Sequence, residues 1–253
     1  MAPRACRIVT MVPILALMGC ALPDQRQASG TVVESTALSA AMSAEAVSDF
    51  RSAASNWDIL YRQHPDDPAF ALKLARALRY SGQVQPSIDT AASFLDRHPA
   101  NPALLAELGK DYLAGDRLGL AVRVLRQAAE AAPGDWEPLS ALAVALDYQH
   151  AYGEAQQVYA RALVLAPDNP VLLNNLGLSL AEAGDLKKAE ATLSKAVDQP
   201  KATAQVRQNL ALIKALAGDS AAAERLARQD LPPEAVRSNG VYYRSLADGV
   251  KLR

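Results

Sequence analysis

Large and small apolar residues return along this chain on a fixed clock. Pro65, Pro99, Pro133 and Pro167 stand 34 residues apart. Placing them at position 32 opens windows at residues 34, 68, 102, 136, 170 and 204. Position 7 then reads Ala40, Leu74, Leu108, Leu142, Leu176 and Leu210, and position 8 reads Ala41, Ala75, Gly109, Ala143, Gly177 and Ala211. Position 20 holds Ala53, Ser87, Ala121, Ala155, Ala189 and Ala223, all small. A large residue beside a small one, answered by another small one further on, predicts two antiparallel helices in close approach with leucine filling their seam. A period of this length marks a repeat architecture.

The helix ends follow the same register. Position 34 holds Asp67, Asn101, Asp135 and Asn169, whose side chains accept from the free N–H groups of a following helix. Pro68, Pro102 and Pro170 come next, at a first turn where a missing N–H costs nothing. Between the two helices of a window lie Gly82, Gly115, Gly184 and Gly218, suited to the left-handed conformation that ends a helix. Asp116, Asp185 and Asp219 follow as expected caps of the second helix. His150-Ala151-Tyr152-Gly153 replaces that turn in the window from 136, and the window from 170 is expected to lose register at Pro200.

Composition agrees and narrows the function. The 253 residues include 51 Ala and 35 Leu but only 5% aromatics, which favours helices over a β-sandwich or barrel. With 26 basic and 27 acidic residues, the chain lacks the strongly basic balance that selects nucleic acid. Three His and two Cys in no ligand-spaced cluster predict no metal site and no cofactor.

The N-terminus reads as an address. Arg4 and Arg7 precede a mostly apolar run from Ile8 to Met18, a charged region and short apolar core of a secretory signal over residues 1–19. Eleven residues are too few to span a bilayer core, which takes about 20. The run ends in Leu17-Met18-Gly19-Cys20, which resembles the lipobox of bacterial lipoproteins. That resemblance implies acylation of Cys20 as the new N-terminus; the other reading is an ordinary signal peptide with a chance Cys. Two or more acyl chains hold a protein stably at a membrane. Ala21 lacks the Asp that favours inner-membrane retention among lipobox proteins, so the expected address is the periplasmic face of the outer membrane. Signal removal leaves 24 basic and 27 acidic residues. Residues 20–33 are expected to be the lipidated Cys and a flexible tether.

Leu105, Leu108-Gly109, Tyr112, Ala121, Leu125, Ala128 and Pro133 resemble the tetratricopeptide-repeat (TPR) pattern, and Ala155, Tyr159, Ala162 and Pro167 repeat its second half. The resemblance implies an all-α solenoid of antiparallel helix pairs wound into a right-handed superhelix. It spans residues 34–231, as a partial unit 34–67 and then 68–101, 102–135, 136–169, 170–203 and 204–231. In TPR proteins that bind in their concave groove, the contacting side chains come mostly from positions 2, 5, 6, 9, 12 and 13. Here those positions hold Lys73, Arg76, Arg79 and Lys110, and further along Asn174, Asn175, Leu178, Asn209 and Leu212. The cations would suit an acidic segment or a C-terminal carboxylate, and they would equally suit a solvated helix face. Asn175 and Asn209 are mediocre helix formers mid-helix, and their amides could hold an extended backbone.

No residues are expected to be catalytic. His64 and His98 recur at position 31 as part of the repeat, His150 lies in a turn, and none has a Ser or Cys partner in a nucleophile motif. Residues 232–253 break the period and are expected to form a capping helix or tail, interrupted near Gly240. Leu231-Pro232-Pro233-Glu234-Ala235 and Asn239-Gly240-Val241-Tyr242-Tyr243-Arg244 resemble the tail of TadD-type lipoproteins of the tight adherence (Tad) Flp-pilus system. That likeness implies a scaffold assisting pilus assembly or secretion, pilotin-like toward the secretin, with secretin or other assembly subunits as protein partners. The alternative is a periplasmic TPR lipoprotein that serves as adaptor for cell-wall hydrolases or outer-membrane protein assembly.

Overall fold

A computed structural model describes the backbone of residues 25–251 and the side-chain surroundings of residues 32–245. The expected signal, Cys20 and the start of the expected tether lie outside the described residues. Thirteen helices and no strand are present among the described residues. Seven are α1 (Gln25–Ala46), α3 (Pro68–Tyr80), α5 (Pro102–Ala114), α7 (Trp136–Tyr148), α9 (Pro170–Glu182), α11 (Ala204–Leu216) and α13 (Pro233–Lys251). Alternating with them are α2 (Phe50–Gln63), α4 (Val84–Arg97), α6 (Leu118–Ala131), α8 (Tyr152–Leu165), α10 (Leu186–Val197) and α12 (Ser220–Ala227). Each even-numbered helix pairs with the helix before it and packs on the one after, giving an all-α TPR solenoid.

The prolines set where helices begin. Asp67, Asn101, Asp135 and Asn169 cap α3, α5, α7 and α9, accepting from Ala69, Leu104, Glu137 and Val171 at 2.8, 3.0, 2.9 and 2.9 Å. Pro200 shortens α10, but α11 still opens at residue 204, so the register expected to fail there is kept. The seam follows the predicted small residues. Every position-20 side chain is buried, and where Ser87 replaces Ala its hydroxyl donates to the Ala75 carbonyl at 2.6 Å. Position 8 also meets position 24: a Cβ on Gly109 would lie 2.3 Å from Leu125 Cγ, and one on Gly177 2.6 Å from Leu193 Cγ.

Turn chemistry differs from expectation. The left-handed residue is the fifteenth of each window, namely Ser48, Gly82, Asp116, His150, Gly184 and Gly218. Gly115 has φ −92° and is not that residue. Asp116 takes the conformation instead and cannot cap α6, whose N-cap is Arg117 with no side-chain hydrogen bond. Asp185 and Asp219 do cap their helices, accepting from Lys188 and Ala222.

Two terminal expectations need correction. The tether expected over 20–33 is helical from Gln25 onward. Ala37, Ala41 and Ala44 bury α1 against α2, and once that packed turn exists, adding residues to the helix costs far less than nucleating one. The C-terminal helix is continuous through Gly240, with no interruption. Gly240 lies where α13 presses on α12, and a Cβ there would sit 2.7 Å from Glu224 Oε1. Val236 and Tyr243 bury against Ala211, Ala215, Ala223 and Ala227, covering the last helix pair.

Candidate binding groove

Consecutive first helices touch along one side, α3 with α5, α5 with α7, α7 with α9 and α9 with α11, whereas the second helices form no such run. The first helices therefore line the inner face. Three clefts follow one another along it. The first, about 160 Å³, includes Leu72, Arg76, Ala106 and Lys110; the second, about 310 Å³, runs from Lys110 through Leu113, Trp136 and Ala141 to Val144. The third, about 390 Å³, continues from Val144 to Asp147, Tyr148, Asn175, Leu178 and Glu182. Lys110 and Val144 are each shared by two clefts, so the three form one groove with a largely apolar floor.

The four predicted cations gather at one end, and each meets a carboxylate. Lys73 Nζ lies 2.8 Å from Glu45 and 5.5 Å from the centre of the Trp57 ring. Arg76, Arg79 and Lys110 converge on Glu107, Arg76 at 3.4 Å and Lys110 at 3.7 Å. Arg79 Nε donates to Glu107 Oε1 at 3.2 Å and also lies 3.1 Å from Asp111. Glu107 and Asp111 are fully buried one helical turn apart on α5. These cations thus first neutralise the protein's own carboxylates, leaving Arg76 and Lys110 partly open to the groove.

Asp111 is the less well satisfied of the two. Neither of its oxygens has a hydrogen bond. The Ser87 hydroxyl beside it has its single proton on the Ala75 carbonyl. Burial, with the negative charge of Glu107 added and Arg79 opposing, pushes the Asp111 carboxyl up to about 7.

The predicted amides form a ladder two helices away. Asn209 Nδ2 donates to Asn174 Oδ1 at 2.8 Å, and Asn174 Nδ2 donates to Asn175 Oδ1 at 3.1 Å, tying α11 to α9. Asn175 and Leu178 line the largest cleft, and Leu212 is half-buried on α11. The helix α7 separates this group from the cations, and of the nine predicted residues Arg76, Lys110, Asn175 and Leu178 line the three clefts, whereas Lys73, Arg79, Asn174, Asn209 and Leu212 do not.

Sequence reasoning missed the acids of that groove. Glu107, Asp147 and Glu182 stand at positions 6, 12 and 13 of their windows, the same positions used to choose the cations, so the signal was present. Asp147 accepts from Ser179 Oγ at 2.6 Å and from the Tyr159 hydroxyl at 3.0 Å. Burial raises its carboxyl above the usual range and Glu182 adds to the rise, against those two hydrogen bonds. Glu182 accepts from the Tyr152 hydroxyl at 3.2 Å, and that hydroxyl lies 2.7 Å from His150 Nδ1.

His64 and His98 end α2 and α4 and face Glu34 and Asp66 on the exposed surface. Among the described residues, no three His, Cys, Asp or Glu stand close enough to hold a metal ion, and no helix is long and apolar enough to cross a membrane.

Comparison with known proteins agrees with this geometry. A thermophilic TPR protein of Thermus thermophilus aligns with a TM-score of 0.64 at 21% identity, covering 71% of this chain and 98% of that one. MamA from Desulfovibrio magneticus RS-1 aligns at 0.55 and 19%, covering 66% and 94%. YrrB, a TPR protein with an unusual peptide-binding site, aligns at 0.53 and 15%, covering 75% and 98%. At these identities the likeness shows the fold alone. The uncharacterized protein y4yS of Sinorhizobium fredii (strain NBRC 101917 / NGR234) is 37% identical over 90 residues, 36% of this chain, and the chain spans about half the length of that curated relative. The family described as tetratricopeptide repeat matches residues 38–102, 72–136 and 140–205, well over half the sequence, and with the 34-residue clock and the stacked helix pairs this places the chain in the tetratricopeptide-repeat family.

Proposed function

We propose that this protein is a lipid-anchored scaffold that holds protein partners in its inner groove and assists assembly of a Flp-type pilus, pilotin-like toward the secretin. TPR repeats form protein–protein interaction scaffolds, and such proteins are generally non-enzymatic. The observation that carries the proposal is the groove itself, three linked clefts with an apolar floor bounded by charged side chains. A surface of this shape offers contact along an extended segment. The Leu17-Met18-Gly19-Cys20 motif supports acylation and an outer-membrane, periplasmic address, and the resemblance of the tail supports the pilus system.

The test is made in the native host with Cys20→Ala and a deletion strain. Labelling with a clickable palmitate analogue should mark the wild-type protein and not the variant. Secretin multimers should fall in the deletion strain and recover only with the wild-type chain. Unlabelled wild-type protein would refute the anchor, and normal secretin assembly without this protein would refute the pilotin role.

A further inference from the structure

Resting on the groove reading just given, we infer that the cleft between α7 and α9 is a socket for a lysine or arginine side chain of a partner segment, with an apolar side chain of that segment seated in the neighbouring cleft. The inner face shows a charge asymmetry. Glu45, Glu107 and Asp111 each have a Lys or Arg of this chain within 4 Å. Asp147 and Glu182, together in the third cleft, have no Lys or Arg partner among the described residues, and neither has Glu137 in the cleft beside them. The donors that Asp147 and Glu182 do have, Ser179, Tyr159 and Tyr152, are neutral and leave both negative charges uncompensated. His150 lines the same cleft; its Nδ1 lies 2.7 Å from the Tyr152 hydroxyl, which donates a hydrogen bond to Glu182.

The walls fit a long cationic side chain. Val144 and Leu178 offer apolar surface to its methylenes, and Tyr148, an exposed residue of the cleft wall, supplies an aromatic ring for the charged head. A divalent cation such as calcium fits poorly, since it takes six to eight oxygens, and both Asp147 oxygens already accept hydrogen bonds. The cleft also adjoins the next at Val144, which suits a side chain on a continuing polypeptide as its ligand. That next cleft presents Leu113, Trp136 and Ala141 as apolar surface, with Lys110 and Glu137 at its edges. Adjacent packed helices lie about 8–10 Å apart and an extended chain rises about 3.3 Å per residue, so the basic and apolar residues of the partner should stand about three positions apart.

The probe is a phage-displayed library of short random peptides selected on the full-length protein, with recovered peptides synthesised and titrated by fluorescence anisotropy. Expected are sequences with Lys or Arg about three positions from a bulky apolar residue. Glu182→Gln and Asp147→Asn should each weaken binding about tenfold. Replacing the peptide's basic residue by norleucine should do the same on the wild type and nothing further on the double variant. Glu182 is exposed, so its variant reports on binding even if Asp147→Asn disturbs packing. Peptides that compete for the groove without a basic residue, or whose basic residue ignores both variants, would overturn the socket and leave the scaffold reading standing. A selection that yields no binding peptide would overturn both.

Discussion

Asp111→Asn should make the protein more stable, and only above mildly acidic pH. In the folded chain Asp111 is fully buried without a hydrogen bond, and its carboxyl titrates near 7; unfolded, it returns to its ordinary value of 3.8. Between those values the folded protein keeps a proton that the unfolded chain has released. Raising the pH through this window therefore favours the unfolded state, and the loss levels off above about 7. At about 1.4 kcal/mol per pH unit the gap corresponds to a loss on the order of 4 kcal/mol. Asn keeps the shape and carries no charge, and Glu107 still neutralises Arg79. Urea titrations followed by far-UV circular dichroism, run on both proteins from pH 4 to pH 8, should show their difference growing by that order in favour of the variant. Parallel pH profiles, or a wild type that gains on the variant as pH rises, would show that Asp111 is ionised in the folded chain and that the Arg79 guanidinium 3.1 Å away outweighs its burial.

Glu107→Gln should cost about 3 kcal/mol in the same titrations, because Arg79 loses its main partner inside the fold; a variant as stable as wild type would show that this pair is not a packed one. Gly109→Ala should destabilise by about 1–3 kcal/mol through collision with Leu125, whereas Gly119→Ala, which meets nothing within 4 Å, should be neutral or stabilising by up to about 1 kcal/mol; thermal melts of the pair separate crowding from helix propensity. Asp116→Gly should stabilise by about 1 kcal/mol, because it removes a side chain from a left-handed residue, and Gly184→Ala should lose a similar amount for the converse reason. Opposite signs in either melt would contradict the turn geometry.

The fold could be read from the sequence because local rules and the period agree at each repeat. Asp67, Asn101, Asp135 and Asn169 announce helix starts that side-chain caps then fix, and one buried small residue at position 20 serves in every window. The turns were legible only where glycine fills the left-handed place. In the windows from 102 and 136 the geometry of that place is held by the repeat, so Asp116 and His150 are carried into it, and Gly115 drew attention one residue early. Gly240 reads as a break because glycine is a poor helix former, but Val236 and Tyr243 packed on the last helix pair carry the helix through it. The groove was half legible. Positional rules found the cations and the Asn ladder, but pairing links helices about 30 residues apart, as from Arg79 to Glu107, and no pattern within one helix records it. Read without their partners, the cations looked like the binding charges, while the acids Asp147 and Glu182, at positions covered by the same rule, have no Lys or Arg of this chain beside them.

The central claim, that this protein works by holding partners in its inner groove, is tested most directly by a photo-crosslinking amino acid placed in the native host at positions 76 and 175, with position 161 on the exposed side of α8 as reference. Mass spectrometry should identify the secretin or another pilus-assembly subunit bound from the groove positions and absent from position 161. The same products from all three positions, or none from the groove while pilus assembly proceeds normally, would contradict it.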